Sequence, residues 1–547
     1  MARLSAYYVV TILIIACGSI PKGYDEGGFA AVVGLDSFVD DFGLTRGHTA
    51  GSWASNLTFQ RTMVTSLGVL GAAVGAVLAM AVIDRIGRLR TWQLFTVVWM
   101  TGFLTVTLSS GRLGLLMFAR IWGGVGAGGL TVVAPLYLAE IAPRASRGLV
   151  VSIYMVVLLS SLMLGFLVNY AALKTMAATR EQYRVVLAVP QIAMGLTLAA
   201  SLLIADTPAW LASKRREGEA LEVLARLRGV DTGDSGVVRE FDEMQQQQRD
   251  KGLAAETTST WSTVKQVARE GSLRRRFGLS LAMQICAQWS GGNGITYYIA
   301  DIFGLAGVGT KRISLIAAGG YGATKLVFTM VFTWCLIDVI GRRRCFMTGL
   351  AVQCATHMYM ALYMALWREA SPANKAASDA AVASVFVYAV GWSIGMCTVQ
   401  YIYGAELMPT RVRGVCYAVN MGLHWLLQLA VVLVTPTMLR RLHIWGAYVF
   451  WAAVCAVGLL VLGLWAPETR GVPMERMDEL FAGPWYMGWR ASVGGGGGDG
   501  GGGGDDDDDD DECRGTGGVR TRPKGDSKRG DVEVQRARPI GMTTTVT

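Results

Sequence analysis

Twelve stretches of about 20 apolar residues, each long enough to cross a bilayer as a helix, constrain this chain more than any other feature. They fall at roughly 5–24, 60–83, 92–110, 114–138, 148–171, 185–205, 277–300, 312–337, 345–366, 381–403, 415–436 and 444–465. Hydrocarbon offers no water to backbone N–H and C=O groups, so such segments satisfy their hydrogen bonds internally, as helices. The expected fold class is an all-α membrane protein with twelve transmembrane helices. The chain is 52% hydrophobic and 17% charged, and the spans use up nearly all of that hydrophobicity, which argues against a soluble enzyme.

The first span has the length of a secretory leader. No clear small-residue cleavage site follows it, and the chain runs on through Pro21, Lys22, Gly23, Tyr24 and Asp25, so a retained helix is expected. Most of the nine cysteines, among them Cys17, Cys286 and Cys455, lie inside spans without paired ligand spacing. Neither a disulfide frame nor a metal site is indicated, and no cofactor is expected. A net charge of +9 raises the question of nucleic acid, but its distribution points to the bilayer. Lys and Arg concentrate in alternate loops, at Arg85, Arg88 and Arg90, at Arg144 and Arg147, in the central polar stretch, at Arg342, Arg343 and Arg344, and at Arg411 and Arg413. The richer side reads as cytoplasmic, with both termini on it.

Six spans precede the polar stretch and six follow. The division expected is an N-terminal six-helix bundle over 1–206, a cytoplasmic linker with short amphipathic helices over 207–276, and a C-terminal six-helix bundle with its end motif over 277–484. Within the linker, Ala220, Leu221, Leu224 and Leu227 recur at helical spacing, whereas 245–272 reads as mobile. Beyond about residue 485 come glycine repeats and the run Asp505 to Asp511, a composition too poor in apolar residues to bury a core, so 485–547 reads as a disordered tail.

An internal repeat is legible. Asp84-Arg85-Ile86-Gly87-Arg88 follows the second span, and Asp338-Val339-Ile340-Gly341-Arg342-Arg343 follows the eighth. Glu140, Arg144, Arg147 and Gly148 after the fourth span are echoed by Glu406, Pro409, Arg411, Arg413 and Gly414 after the tenth. Duplicated halves of parallel topology are what a rocking carrier requires.

Further elements complete the pattern: Gly23-Tyr24-Asp25; Arg120 followed by Gly-rich sequence to Pro135 and Tyr137; Gln288 to Asn293 with Tyr297 and Tyr298; and Pro467-Glu468-Thr469-Arg470-Gly471. In this order and spacing, over roughly residues 15–481, they resemble the sugar-porter family of the major facilitator superfamily, of fungal type, with some likeness to lactose and quinate permeases. The resemblance implies two pseudo-symmetric six-helix bundles, alternating access, and a solute site near the membrane midplane.

Electrostatics gives the loop motifs a reason. Arginines at one helix end can meet Glu140 or Glu406 at a neighbouring helix end and hold the two bundles together on the inner face. The gating candidates are Asp84, Arg85, Arg88, Glu140, Arg147, Asp338, Arg342, Arg343, Glu406, Arg413 and Glu468; the plainer reading is that the arginines enforce topology. Asp25 and Arg120 are harder to explain as packing, because an ionisable group inside a span is a functional candidate by default. In proton-coupled members of the family an Asp and an Arg at these positions form the protonation couple. The resemblance therefore implies proton symport, with facilitated diffusion as the competing reading.

A polyhydroxylated solute needs amides, hydroxyls and aromatic faces. The resemblance places them at Gln288, Asn293, Tyr297, Tyr298, Tyr401, His424, Trp425 and Gln428, of which Gln288 and Asn293 are the strongest. The pocket departs from the family pattern: Ala287 and Met155 stand where glutamines are usual, Tyr401 where a tryptophan is, and His424 and Gln428 flank Trp425 where asparagines are common. Loss of two glutamines argues against ordinary glucose. Lys325, inside the eighth span, can attract an acidic solute or merely snorkel, and His424 can titrate or pack.

Two classes stay open. One is a carrier for a sugar, a polyol or a hydroxylated acid such as quinate. The other is a transporter-like nutrient sensor that signals through its tail. The expected partners are a small-molecule solute, a proton and the lipid bilayer, with no nucleic acid, and the expected form is a monomer in the plasma membrane. Asn56-Leu57-Thr58 fits a glycosylation acceptor in the outer loop.

Overall fold

The computed structural model describes residues 5–44, 57–143, 146–257, 260–308, 310–367, 374–400 and 407–470, with 480–481, 486 and 488. The acceptor Asn56 and the tail from 489 onward lie outside the described residues. Among the described residues, ten helices are long and apolar enough to cross a membrane: Ala6–Val32, Phe59–Ile86, Arg88–Leu108, Leu113–Ile141, Arg147–Thr175, Arg180–Leu203, Arg312–Leu336, Lys375–Gly395, Val415–Arg441 and His443–Trp465. These are ten of the twelve expected spans.

The other two are helical but interrupted by polarity. The seventh runs as Gly271–Trp289, breaks at Ser290 and Gly291, where Gly291 takes φ +92°, and resumes as Gly292–Tyr297 and Ile299–Leu305. The ninth, Arg342–Leu366, opens on three arginines and buries Gln353 and His357 at mid-length. His357 is a packing histidine: its Nε2 lies 2.9 Å from the Ser290 carbonyl oxygen and its ring rests against Tyr388, Tyr448 and Trp451.

The first span differs from the expected 5–24. It continues to Val32, passing through a wider π turn at Asp25–Phe29. The charges of Lys22, Asp25 and Glu26 lower the local hydropathy and make the sequence look as if the span had ended. Asp25 consequently sits inside a helix of membrane length.

The second and fourth spans pack closely through small residues; a Cβ at Gly71 would stand 2.1 Å from the Ile121 carbonyl oxygen. With no apolar driving force between helices in lipid, such close backbone approach is what holds neighbours together. The N- and C-terminal sets of spans meet most extensively along two contacts, the second span against the eleventh and the fifth against the eighth. The internal repeat relates second to eighth and fifth to eleventh, so these two contacts are versions of one another.

The central polar stretch is helical at Pro208–Ser213, Glu217–Arg228, Ser235–Thr257 and Thr260–Arg269. Helix therefore occupies most of the 245–272 segment. The helix Glu217–Arg228 buries Ala220, Leu224 and Leu227 and ends on Gly229 at φ +70°, the left-handed cap only glycine adopts freely. Arg228 pairs with Glu240 at 2.6 Å and donates to the Ile141 carbonyl at 3.1 Å, docking this helix on the end of the fourth span.

Candidate functional site

Asp25 and Arg120 face each other inside the N-terminal set of spans. Arg120 Nη1 lies 2.6 Å from Asp25 Oδ1, with Arg120 only 4% exposed. The rest of the guanidinium is also occupied. Nε donates to the Val64 carbonyl at 3.1 Å and Nη2 to that of Thr65 at 3.4 Å, and the group lies 3.7 Å over the Phe29 ring. Gly68 makes the room: a Cβ there would stand 2.3 Å from Arg120 Nη2. The second oxygen of Asp25 accepts a 3.2 Å hydrogen bond from the Tyr297 hydroxyl of the seventh span. One cleft is lined by Lys22, Asp25, Gly68, Arg120, Tyr297 and Trp425 among others, so residues of both sets of spans share it.

The amides of the seventh span form a chain. Asn293 Nδ2 donates to Gln288 Oε1 at 2.8 Å, and Gln288 Nε2 lies 3.1 Å from His424 Nδ1, which is equally close to Gln284 Oε1. His424 is 1% exposed and its Nε2 stands 3.4 Å from Lys22 Nζ. With the ring proton on Nδ1 donated to Gln284, Nε2 accepts from the lysine. His424 is thus a bridge between the first and eleventh spans. Tyr297 reaches the cleft, whereas Tyr298 turns to the eleventh span and donates to the Val432 carbonyl at 3.2 Å. Gln428 is fully buried beside Glu26, yet neither its amide nitrogen nor its oxygen makes a well-formed hydrogen bond. Trp425 lines the cleft with its indole N–H without a partner. Tyr401 lies outside the described residues.

Lys325 does not snorkel. It is 2% exposed, donates to Thr296 Oγ1 at 3.1 Å and lies 3.7 Å over the Trp392 ring and 5.1 Å over Tyr321. Lys22 lies 4.8 Å over the Trp425 ring. Glu26, 5% exposed, is within electrostatic reach of both lysines. Sequence reasoning singled out none of Lys22, Glu26 and Trp392, although the charges adjoin Asp25 and were visible as ionisable residues near an apolar segment.

At the helix ends two matching caps appear. Asp206, after the sixth span, accepts from the backbone N–H of Arg88 at 3.0 Å and of Leu89 at 3.2 Å. Glu468, after the twelfth, accepts from those of Arg342 at 2.9 Å and Arg343 at 3.2 Å. Each cap closes the N-terminus of a helix that starts just after a glycine of positive φ, Gly87 at +103° and Gly341 at +98°. A Cβ at either would strike the capping carboxylate, 2.2 Å from Asp206 Oδ2 or 2.5 Å from Glu468 Oε2. Asp206 was missed as a site residue because nothing local marks it.

The expectation that loop ion pairs bridge the two halves finds no support among the described residues. Arg88 pairs with Asp84 at 3.0 Å and with Glu140 at 3.0 Å, and Thr207 also donates to Glu140. All belong to the N-terminal set, because the third span begins beside the end of the fourth. Arg343 Nη2 donates to the Gly463 carbonyl at 2.6 Å, within the C-terminal set. Arg85 and Arg147 are exposed and make no ion pair among the described residues. At this end the sets touch instead through Trp334 Nε1, which donates to Ser152 Oγ at 2.8 Å. The side chains of Asp338 and Arg413, and all of Glu406, lie outside the described residues.

Known proteins are similar to this chain in sequence and in fold. The chain is 27% identical over 488 residues to the quinate permease of Neurospora africana, covering 86% of this chain and 88% of that one. It is likewise 27% identical over 474 residues to the quinate permease of Emericella nidulans, covering 84% and 85%. The fold matches the proton:xylose symporter XylE bound to 6-bromo-6-deoxy-D-glucose with a TM-score of 0.71 at 18% identity, covering 87% of this chain and 99% of that one. A partially occluded, inward-open XylE from E. coli matches with a TM-score of 0.69 at 18% identity, covering 86% and 100%. The matched helices, the repeated loop motifs and a family model described as sugar (and other) transporter, which fits residues 11–481, agree: the chain is a multi-pass membrane protein of the major facilitator fold and belongs to the sugar transporter family.

Proposed function

We propose that this chain is a proton-coupled carrier of a polyhydroxylated solute, a sugar, polyol or hydroxylated acid, working by alternating access. The observation that carries this reading is the 2.6 Å pair between Asp25 and Arg120, set within the spans with Arg120 buried and Asp25 half-buried, and opening on the cleft that Tyr297 and Trp425 line from the other set of spans. A half-buried carboxylate opposite a buried arginine has two stable arrangements, paired when ionised and released when protonated. Because Asp25 also accepts from Tyr297, its protonation alters a contact between the two sets directly. In this reading residues 1–206 and 277–484 are the moving halves, 207–276 the linker and 485–547 a cytoplasmic tail. Both termini face the cytoplasm, as the Arg-rich loops support; the site is the plasma membrane and the unit is a monomer. The permease relatives favour a hydroxylated acid such as quinate among the solutes.

A transporter-like sensor is the competing class, and the intact Asp25–Arg120 pair favours the carrier, since a pure receptor has less need of a coupling couple. The test is uptake of labelled hexoses, pentoses, disaccharides, polyols and quinate by a transport-deficient host, with the full chain and with the chain ending at residue 484. A carrier accumulates at least one solute down a proton gradient with or without the tail. Absence of uptake for every solute, with signalling lost on truncation, would establish the sensor.

A further inference from the structure

The cleft region holds more positive than negative charge. Arg120 is matched by Asp25. Beyond that pair stand two ammonium groups, Lys22 and Lys325, and one carboxylate, Glu26, all within electrostatic reach of each other. Neither lysine forms an ion pair at 4 Å or less among the described residues. Each is held by neutral groups: Lys22 by His424 Nε2 and the Trp425 face, Lys325 by Thr296 Oγ1 and the Trp392 face. An ammonium offers three N–H donors, so donors are left over on both. Charges buried in a membrane span persist where function needs them.

A second observation points the same way. Around these lysines the indole N–H groups of Trp392 and Trp425 have no hydrogen-bond partner, and the Gln428 amide and one oxygen of Glu26, which face each other, make no well-formed hydrogen bond. Buried polar groups are almost always satisfied, and indole N–H and amide groups are what ring hydroxyls bond. Neutral donors and acceptors beside an excess of cationic charge describe a solute that carries hydroxyls and one negative charge.

We infer that Lys22 and Lys325 bind the carboxylate of a polyhydroxylated monocarboxylic acid, and that Glu26 is their shared counter-charge in the empty carrier. The inference rests on the carrier reading above and deepens it. On loading, the solute carboxylate takes over the two ammonium groups and its hydroxyls meet Gln428, Trp392 and Trp425. On release, Glu26 again faces both lysines, so the empty carrier returns without two unmatched cations in the membrane. An uncharged sugar or cyclitol fills the hydroxyl positions and leaves the positive excess in place, which disfavours it.

The test measures equilibrium binding to the purified full chain in detergent for quinate and gluconate and, as uncharged counterparts, myo-inositol and glucose. Proteoliposome uptake of the same compounds is followed in parallel. The wild type should bind at least one acid ten times more tightly than its uncharged counterpart. Lys22→Gln and Lys325→Gln should each reduce that affinity ratio at least tenfold, and Lys22→Arg and Lys325→Arg should restore much of it. Glu26→Gln should tighten acid binding several-fold, because the competing carboxylate is gone. This last variant keeps the idea falsifiable if a lysine substitution prevents folding. A wild type with no preference for either acid, lysine variants that leave the ratio unchanged, or a Glu26→Gln chain that binds acid no tighter overturns the inference. Lysine-dependent acid binding without any uptake would leave it standing and remove the carrier reading instead.

Discussion

The Tyr297 hydroxyl donates a 3.2 Å hydrogen bond to the same carboxylate, Asp25, that Arg120 holds at 2.6 Å. Asp25 belongs to the first span and Tyr297 to the seventh, the opening spans of the two sets. A proton on Asp25 removes negative charge from the Arg120 contact and weakens the acceptor in the Tyr297 contact together. Two consequences of one protonation, one within a set and one between sets, are the minimum a coupled carrier needs.

Asp25→Asn should therefore abolish pH-driven accumulation while leaving solute exchange across the membrane measurable. Asparagine fills the same volume and still accepts from Tyr297, but cannot cycle a proton or match the Arg120 charge. Counterflow and gradient-driven uptake in proteoliposomes separate the two activities. Accumulation against a gradient at the wild-type level would remove Asp25 from the coupling role.

Asn293→Ala should raise the half-saturation concentration several-fold, since a pocket hydrogen bond contributes about 1 kcal/mol. Asn293 Nδ2 also anchors Gln288, whose own neighbour is His424, so part of the loss would reflect a loosened amide chain. Comparison with Gln288→Ala separates the parts. If both single changes and the double change cost the same affinity, the two amides act as one unit.

Much of the scaffold was legible because bilayer crossing imposes a length and an apolarity that leave a mark in any sequence. The misreadings occurred where function interrupts that mark. Lys22, Asp25 and Glu26 made the first span look finished at residue 24. Asp25 and Arg120 stood out as charges in apolar surroundings. By contrast Trp392 reads as one more aromatic among many, because which face of a helix meets Lys325 depends on rotation within the bundle. Asp206 caps a helix 118 residues earlier in the chain, a pairing only the folded backbone creates. The loop arginines were recognised as a set, but their partners within one half depend on how the third and fourth spans lie side by side.

The two carboxylate caps should be separable from transport. Asp206→Ala and Glu468→Ala each strand two helix N-terminal N–H groups, and the loss is expected at about 1.5–3 kcal/mol apiece, the range for hydrogen bonds to charged groups. Thermal unfolding in detergent should show both variants melting lower.

Asp206→Asn adds a pH test of the same cap. Burial holds the Asp206 carboxyl above the ordinary carboxylate range, against the pull of the N–H groups of Thr207, Arg88 and Leu89 and of the Arg88 charge. A raised value in the folded state means that this contribution to stability is complete below about pH 4 and is lost as pH rises through the raised value. Asparagine cannot ionise. The melting temperature of the wild type relative to Asp206→Asn should thus be most favourable at the acid end and decline upward. A difference that grows with pH would show that the charged cap is the stabilising form.

Gly68→Ala should disable coupling with little effect on folding. The added methyl would stand 2.3 Å from Arg120 Nη2, an overlap the guanidinium can relieve by moving. Its carbonyl contacts to Val64 and Thr65 and its place over Phe29 leave that movement little room except away from the present seat. A displaced Arg120 releases Asp25 without any change to either charged residue. Gradient-driven accumulation is expected to fall at least tenfold while the melting temperature stays within a few degrees of wild type, the change expected for about 1 kcal/mol or less in a domain of this size. Wild-type accumulation in a folded Gly68→Ala carrier would mean that the close Arg120–Asp25 contact is dispensable, and the coupling scheme would have to be built on Glu26 instead.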